Sequence, residues 1–143
     1  MSSSRAVVVD ANILLRAIFG KRVSGVLSKF ENAEFYTPEH CLQEARKNVP
    51  IIAKRKKVDT PSVLQLLDEL LEEGMILPID HNSYDGLRER ALSRTAKHDP
   101  TDWPVIAVAL LLSAPIWTED RDFFGTGIAT WTTDRIEIYL RDA

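Results

Sequence analysis

The sequence predicts an α/β fold with a parallel sheet covered by helices on both faces. Two observations carry that expectation. Short apolar runs alternate along the chain with longer stretches of helical spacing, the pattern of parallel strands joined by crossover helices. The first of these runs, RAVVVD (5–10), is short, β-branched and ended by a polar residue, as a fully buried strand would be.

The elements follow in order. After the first strand, ANILLRAIFG reads as a helix stopped by Gly20, and SGVLSKFENA as a second with Ser24 as its N-cap. EFYTP is a short strand ending at Pro38. From there PEHCLQEARKNVPIIAKRKK is helical, with Pro50 expected to kink or break it. TPSVLQLLDELLEEG is the clearest helix: Thr60 caps it, Pro61 suits its first turn, Leu64, Leu67, Leu70 and Leu71 form an apolar stripe, and Gly74 ends it. MILPI is the next strand. NSYDGLRERALSRT is a helix capped by Asn82 despite Gly86, and TDWPVIAVALLLSA another with Thr101 or Asp102 at its cap. PIWT and, more weakly, ATW are strands, and TDRIEIYL closes the chain as a helix capped by Thr133.

Composition bounds the function. A chain of 143 residues with no repeat, low-complexity tract or linker is expected to form one domain spanning 1–143. The single cysteine, Cys41, excludes an internal disulfide and a multi-cysteine zinc site and suits a reducing, cytoplasmic location. The start of the chain is too short in apolar residues for a signal-peptide core, and Val105 to Ile116 is too short to span a bilayer, so no membrane role is expected. With a net charge of −3, any nucleic acid must be met by a local basic patch.

Acids recur where strands end. Asp10 ends the first strand, and Glu119, Asp120 and Asp122 follow PIWT. Asp99 and Asp102 start the helix that feeds PIWT. In an open parallel sheet, ligands gather beyond the carboxyl ends of the strands. Carboxylates brought together there repel, and a hard divalent cation relieves this by taking oxygen ligands. Such an ion polarises a phosphoryl oxygen and lowers the pKa of a bound water. The site type needs Asp and Glu but neither Cys nor His, in keeping with a chain of only three His.

In order, VVVDANILL, CLQEA, DPTDWPVIAVAL and IWTEDRDFFG resemble the PIN domain, the nuclease domain of VapC-type toxins and related RNA-processing proteins, over nearly the whole chain. The resemblance implies a three-layer α/β/α sandwich around a central parallel sheet of about five strands and Mg²⁺- or Mn²⁺-dependent hydrolysis of RNA. By position it implies Asp10, Glu44, Asp102 and Asp120 as catalytic acids, with Asp122 a further metal ligand beside Asp10, Asp102 and Asp120. Asn12 and Thr118 match supporting polar positions. Toxin-type members act as homodimers held inactive by a small antitoxin. Trp103-Pro104 departs from the small or charged residues that many toxin members carry after the third acid.

Each residue also has a plainer reading. Asp102 is a good helix cap, Glu44 can be a solvated helical residue, and Asp122 can cap the turn at FFG. Asn12 either orients Asp10 or caps the first helix. Arg16 and the run Lys54, Arg55, Lys56 and Lys57 are the candidates for RNA contact, although the run also suits a helix C-terminus. Trp103 fits the core better than base stacking, and nothing supports His98 as a general base. Two rival functions remain: a non-catalytic PIN-like module that binds RNA or protein, and a phosphoacceptor with its nucleophile at Asp10. The second lacks a partner acid, because position 12 is Asn12.

Overall fold

A computed structural model describes residues 5–95 and 99–141, so His98 lies outside the described residues. Five strands form one all-parallel sheet: β1 (Arg5–Val9), β2 (Ala33–Pro38), β3 (Leu77–Ile79), β4 (Ile116–Trp117) and β5 (Thr130–Trp131). Their spatial order is β3-β2-β1-β4-β5, so β1 is central. Central placement explains the unbroken apolar run: Val7, Val8 and Val9 are all fully buried. Helices flank this sheet to complete the expected three-layer sandwich. Helix α1 (Ala11–Phe19) packs on α2 (Arg22–Lys29), α3 (Glu39–Lys56) and α4 (Thr60–Glu72), while α7 (Trp103–Leu112) packs on β1, β2 and α6 (Arg88–Arg94). Helices α5 (His81–Tyr84) and α8 (Ile136–Arg141) complete the set.

Several local expectations change. Helix α3 runs unbroken through Pro50, because Cys41, Leu42, Ala45, Val49 and Ala53 are buried on both sides of it. That shared apolar stripe outweighs the ~3 kcal/mol cost of an interior proline. Ser24 is not a cap: α2 starts at Arg22, and the Ser24 hydroxyl donates back to the carbonyls of Gly20 and Lys21. Asp59 rather than Thr60 caps α4, accepting from the Ser62 N–H and hydroxyl. Asn82 lies inside α5, and a 3-10 turn at Asp85–Leu87, around Gly86, divides the expected helix into α5 and α6. Thr133 does not cap α8. Its hydroxyl accepts from Nε1 of the buried Trp117 at 3.0 Å. The leucine stripe faces the core: Leu67 is fully buried, and Leu64, Leu70 and Leu71 are partly buried against the core cluster. No helix among the described residues is long and apolar enough to cross a membrane.

Candidate metal centre

Strand register brings the first two site residues together. Val9 of β1 pairs with Trp117 of β4, so the next residues, Asp10 and Thr118, leave the sheet side by side. The β1–β4 seam is also where the sheet reverses its order of growth, the crevice in which open α/β sheets place ligands. Asp10 is 7% exposed. Its Oδ1 accepts the Ile13 N–H at 3.0 Å, capping α1, and its Oδ2 accepts the Thr118 hydroxyl. Burial raises the Asp10 pKa to about 6; the hydrogen bonds from Thr118 and Ile13 oppose that rise, and the charges of Asp120 and Glu119 add to it.

The segment after β4 folds back on itself through its acids. The Asp120 N–H donates to Thr118 Oγ1 at 2.9 Å, and the Asp122 N–H donates to Asp120 Oδ1 at the same distance. Asp120, not Asp122, therefore caps the 3-10 turn Arg121–Phe123. The third acid arrives from the start of α7. Asp99 caps the 3-10 turn Pro100–Asp102 by accepting from the Thr101 N–H and hydroxyl. That leaves the Asp102 carboxylate with no capping bond. Its Oδ2 is buried without a hydrogen-bond partner among the described residues. Burial raises its pKa to about 7, and Asp120, Asp99, Asp10 and Asp122 push it in the same direction.

Asp102, Asp120 and Asp122 each present a carboxylate oxygen within 4.8 Å of the others. Asp10 stands beside this trio, committed to Ile13 and Thr118. A buried acceptor without a donor, on an acid that burial and neighbouring carboxylates hold above its ordinary pKa, is what an oxygen-ligated divalent cation would satisfy, so these residues fit such an ion. A cleft of about 330 Å³ is lined by Asp10, Glu44, Asp102 and Asp120 among others, with Asp122 outside its lining.

Glu44 reaches this cleft from α3 but remains half exposed, with His40 Nε2 3.3 Å from its Oε1. Asn12 takes neither role expected of it: Asp10 caps α1, and Asn12 Oδ1 accepts from Arg16 Nε at 2.9 Å. Trp103 lies against Tyr84 and His81, with the Arg88 guanidinium over its ring. Two further residues line the cleft: His40, which the sequence reading does not single out, and Glu119, which it names after PIWT but does not assign to the site. His40 carried a signal, lying one helical turn before Glu44. Glu119 carried one in the TED triplet; its Oε1 accepts the Thr133 N–H at 2.6 Å, tying the acidic turn to the segment before α8.

The fold has known counterparts. The chain is similar in fold to PAE2754 from Pyrobaculum aerophilum, with a TM-score of 0.69 and 16% identity over 97% of this chain and 91% of that one. It is also similar to FitAcB from Neisseria gonorrhoeae, with a TM-score of 0.59 and 21% identity over 89% of this chain and 97% of that one. A third similar structure is VapBC2 from Rickettsia felis bound to a DNA fragment from their promoter, with a TM-score of 0.63 and 17% identity over 89% of this chain and 98% of that one. A sequence comparison with curated proteins gave no match. The PIN domain family model matches residues 8–141, from inside β1 to the end of α8, and the chain belongs to the PIN domain family.

Proposed function

We propose that this chain is a single-domain, metal-dependent endoribonuclease and the toxin of a toxin–antitoxin pair. The observation that carries the nuclease reading is the convergence of Asp102, Asp120 and Asp122 around a buried, unpartnered Asp102 oxygen beside Asp10. The toxin reading is supported by the fold shared with FitAcB, VapBC2 and a toxin–antitoxin complex from Klebsiella pneumoniae; the partner would be a small antitoxin protein. A lone buried thiol at Cys41 suits a reducing cytoplasm.

Asp10, Asp102, Asp120 and Asp122 would hold Mg²⁺ or Mn²⁺, with Glu44 lining the same cleft as Asp10, Asp102 and Asp120. When bound, such an ion supplies Lewis-acid polarisation of the scissile phosphate and acidification of a water. The chain's own residues do the rest. Thr118 fixes the Asp10 carboxylate and, through the Asp120 N–H, the start of the acidic turn. Asp99 holds the 3-10 turn that presents Asp102. Arg16, at the mouth of the cleft, offers a cation to phosphate once RNA is bound, and Arg55 and Lys56 stand farther along the same side.

The test is cleavage of a mixed single-stranded RNA pool with Mg²⁺, with Mn²⁺ and with EDTA, for the parent and a folded Asp120→Asn variant. Metal-dependent cleavage lost in the variant supports the proposal. RNA binding without cleavage under every condition replaces it with the non-catalytic module.

A further inference from the structure

We propose that the open groove beside the acidic cleft is a binding track for the single-stranded RNA flanking the cut site, with cations on its walls for phosphates and Phe124 as a stacking platform for a base. The groove measures about 940 Å³ and shares Asn12, Arg16 and Glu119 with the cleft, so the two are continuous. Six of the chain's 18 Lys and Arg residues line it: Arg16, Lys21, Arg22, Arg55, Lys56 and Arg121. They face only two acids, Glu119 and Asp134, in a chain whose net charge is −3. The cations are therefore concentrated here against the overall balance.

Their positions also argue for an anionic occupant. Lys21 and Arg22 stand at the N-terminus of α2, where the helix dipole disfavours positive charge. Local helix stability does not account for them there; Asp134 lies near Arg22, and a polyanion in the groove would meet Lys21 and Arg22 together. Arg16 is steered by Asn12 at the junction of groove and cleft. Phe124 is 47% exposed and lines the groove, while Leu15, Phe19 and Ile52 supply further apolar surface. Cations beside an exposed aromatic ring form the combination that holds single strands without reading their sequence. A peptide could use the same apolar surface, but continuity with the acidic cleft favours a strand whose phosphate must enter that cleft. The direction of the track rests on the nuclease reading; its binding test does not.

The groove divides the basic run at the end of α3. Arg55 and Lys56 line it, whereas Lys54 and Lys57 line neither groove nor cleft. Lys57 adopts a left-handed conformation that caps α3. The experiment measures affinity for a labelled short oligouridylate in EDTA across a salt series, with thermal melts to confirm folding. Changing Lys21, Lys56 and Arg121 together to Ala should flatten the log–log salt slope by about 2, at about 0.7 per lost phosphate contact. Phe124→Ala should weaken binding about fivefold or more while leaving the slope alone. A variant with Lys54→Ala and Lys57→Ala should keep the parental slope.

An unchanged slope in the triple variant overturns the proposal and leaves the groove to a protein segment. Equal flattening by the Lys54 and Lys57 changes overturns it too, as does a parent that does not bind the oligonucleotide. Unaltered affinity in Phe124→Ala removes the stacking role. A separate Mg²⁺ cleavage assay distinguishes the two readings: an active parent with an unchanged triple-variant slope refutes the track alone, and an inactive parent with a flattened slope refutes the nuclease alone.

Discussion

Thr118 donates its hydroxyl hydrogen to Asp10 Oδ2 and accepts the Asp120 N–H at 2.9 Å, so one side chain links the end of β1 to the acidic turn after β4. Both bonds are made at the sheet's switch point, where neighbouring strands release their next residues together. The acids on the two segments are therefore set relative to each other by a hydroxyl rather than by their mutually repelling charges.

Thr118→Val tests that link. The substitution preserves shape but removes both hydrogen bonds. It should lower stability by about 1–3 kcal/mol, the usual cost of stranding buried polar partners. The Thr118 bond opposes the upward push of burial on Asp10, so its loss should raise the Asp10 pKa further above about 6. The acid limb of a cleavage–pH profile should move to higher pH, and Thr118→Ser should restore it. A Val variant with parental melting and an unmoved acid limb would show the link to be idle.

Asp10 has two duties that different substitutions separate. As N-cap of α1 it can be replaced by Asn, which also accepts the Ile13 N–H. As a proposed metal ligand it cannot, because Asn lacks the charge that holds a hard cation. Asp10→Asn should fold and lose metal-dependent cleavage. Asp10→Ala should lose cleavage and also about 1 kcal/mol of helix capping. Full cleavage by a folded Asn variant would remove Asp10 from the metal site.

Pro50 is exposed within a continuous helix and has no N–H to offer the carbonyl of Arg46. Pro50→Ala supplies that donor and a better helix former. It should stabilise the protein by about 1–3 kcal/mol. Comparison of denaturant midpoints would check this, and a less stable Ala variant would mean that the proline ring is needed where it sits.

The sequence made the parallel sheet legible because β1 is buried on both sides and reads as consecutive valines. Asp10, Asp102 and Asp120 were legible because each lies at or just beyond the end of an element. Caps were the weak point. Asp59 and Asp120 hold their turns where Thr60 and Asp122 are the expected caps, while Asp102 takes the expected N-cap position of α7 but makes no capping bond. A cap depends on backbone angles that a one- or two-residue shift changes, and composition does not resolve such a shift. Pro50 does not break its helix for a different reason: its local cost is real, but the buried stripe that overrides it exists only in the folded chain. The i,i+4 spacing of Asn12 and Arg16 permits their bond, but spacing alone does not decide between it and a bond from Asn12 to Asp10.

Removing metal should make stability fall as pH rises from the acid range towards neutrality, once global acid unfolding is avoided. Asp10 and Asp102 have folded-state pKa values of about 6 and about 7, both above the ordinary 3.8. Between those values and 3.8 the folded state holds more protons than the unfolded state. The stability these two acids contribute is therefore fully present below about pH 4 and is lost as pH rises through about 6 to 7. Saturating Mg²⁺ should reverse that loss, because an ion bound only by the folded state adds RT ln(1 + [L]/Kd), about 2.7 kcal/mol at a hundredfold excess over Kd. Asp102→Asn removes a charge that has no hydrogen-bond donor to compensate its buried oxygen. In EDTA at neutral pH the variant should melt above the parent, its stability should depend less on pH, and its response to Mg²⁺ should shrink. Paired melts across pH, with EDTA and with Mg²⁺, provide the measurement. If Asp102→Asn melts below the parent in EDTA and keeps the full Mg²⁺ response, Asp102 is a structural residue of the turn before α7, and the ion is held elsewhere.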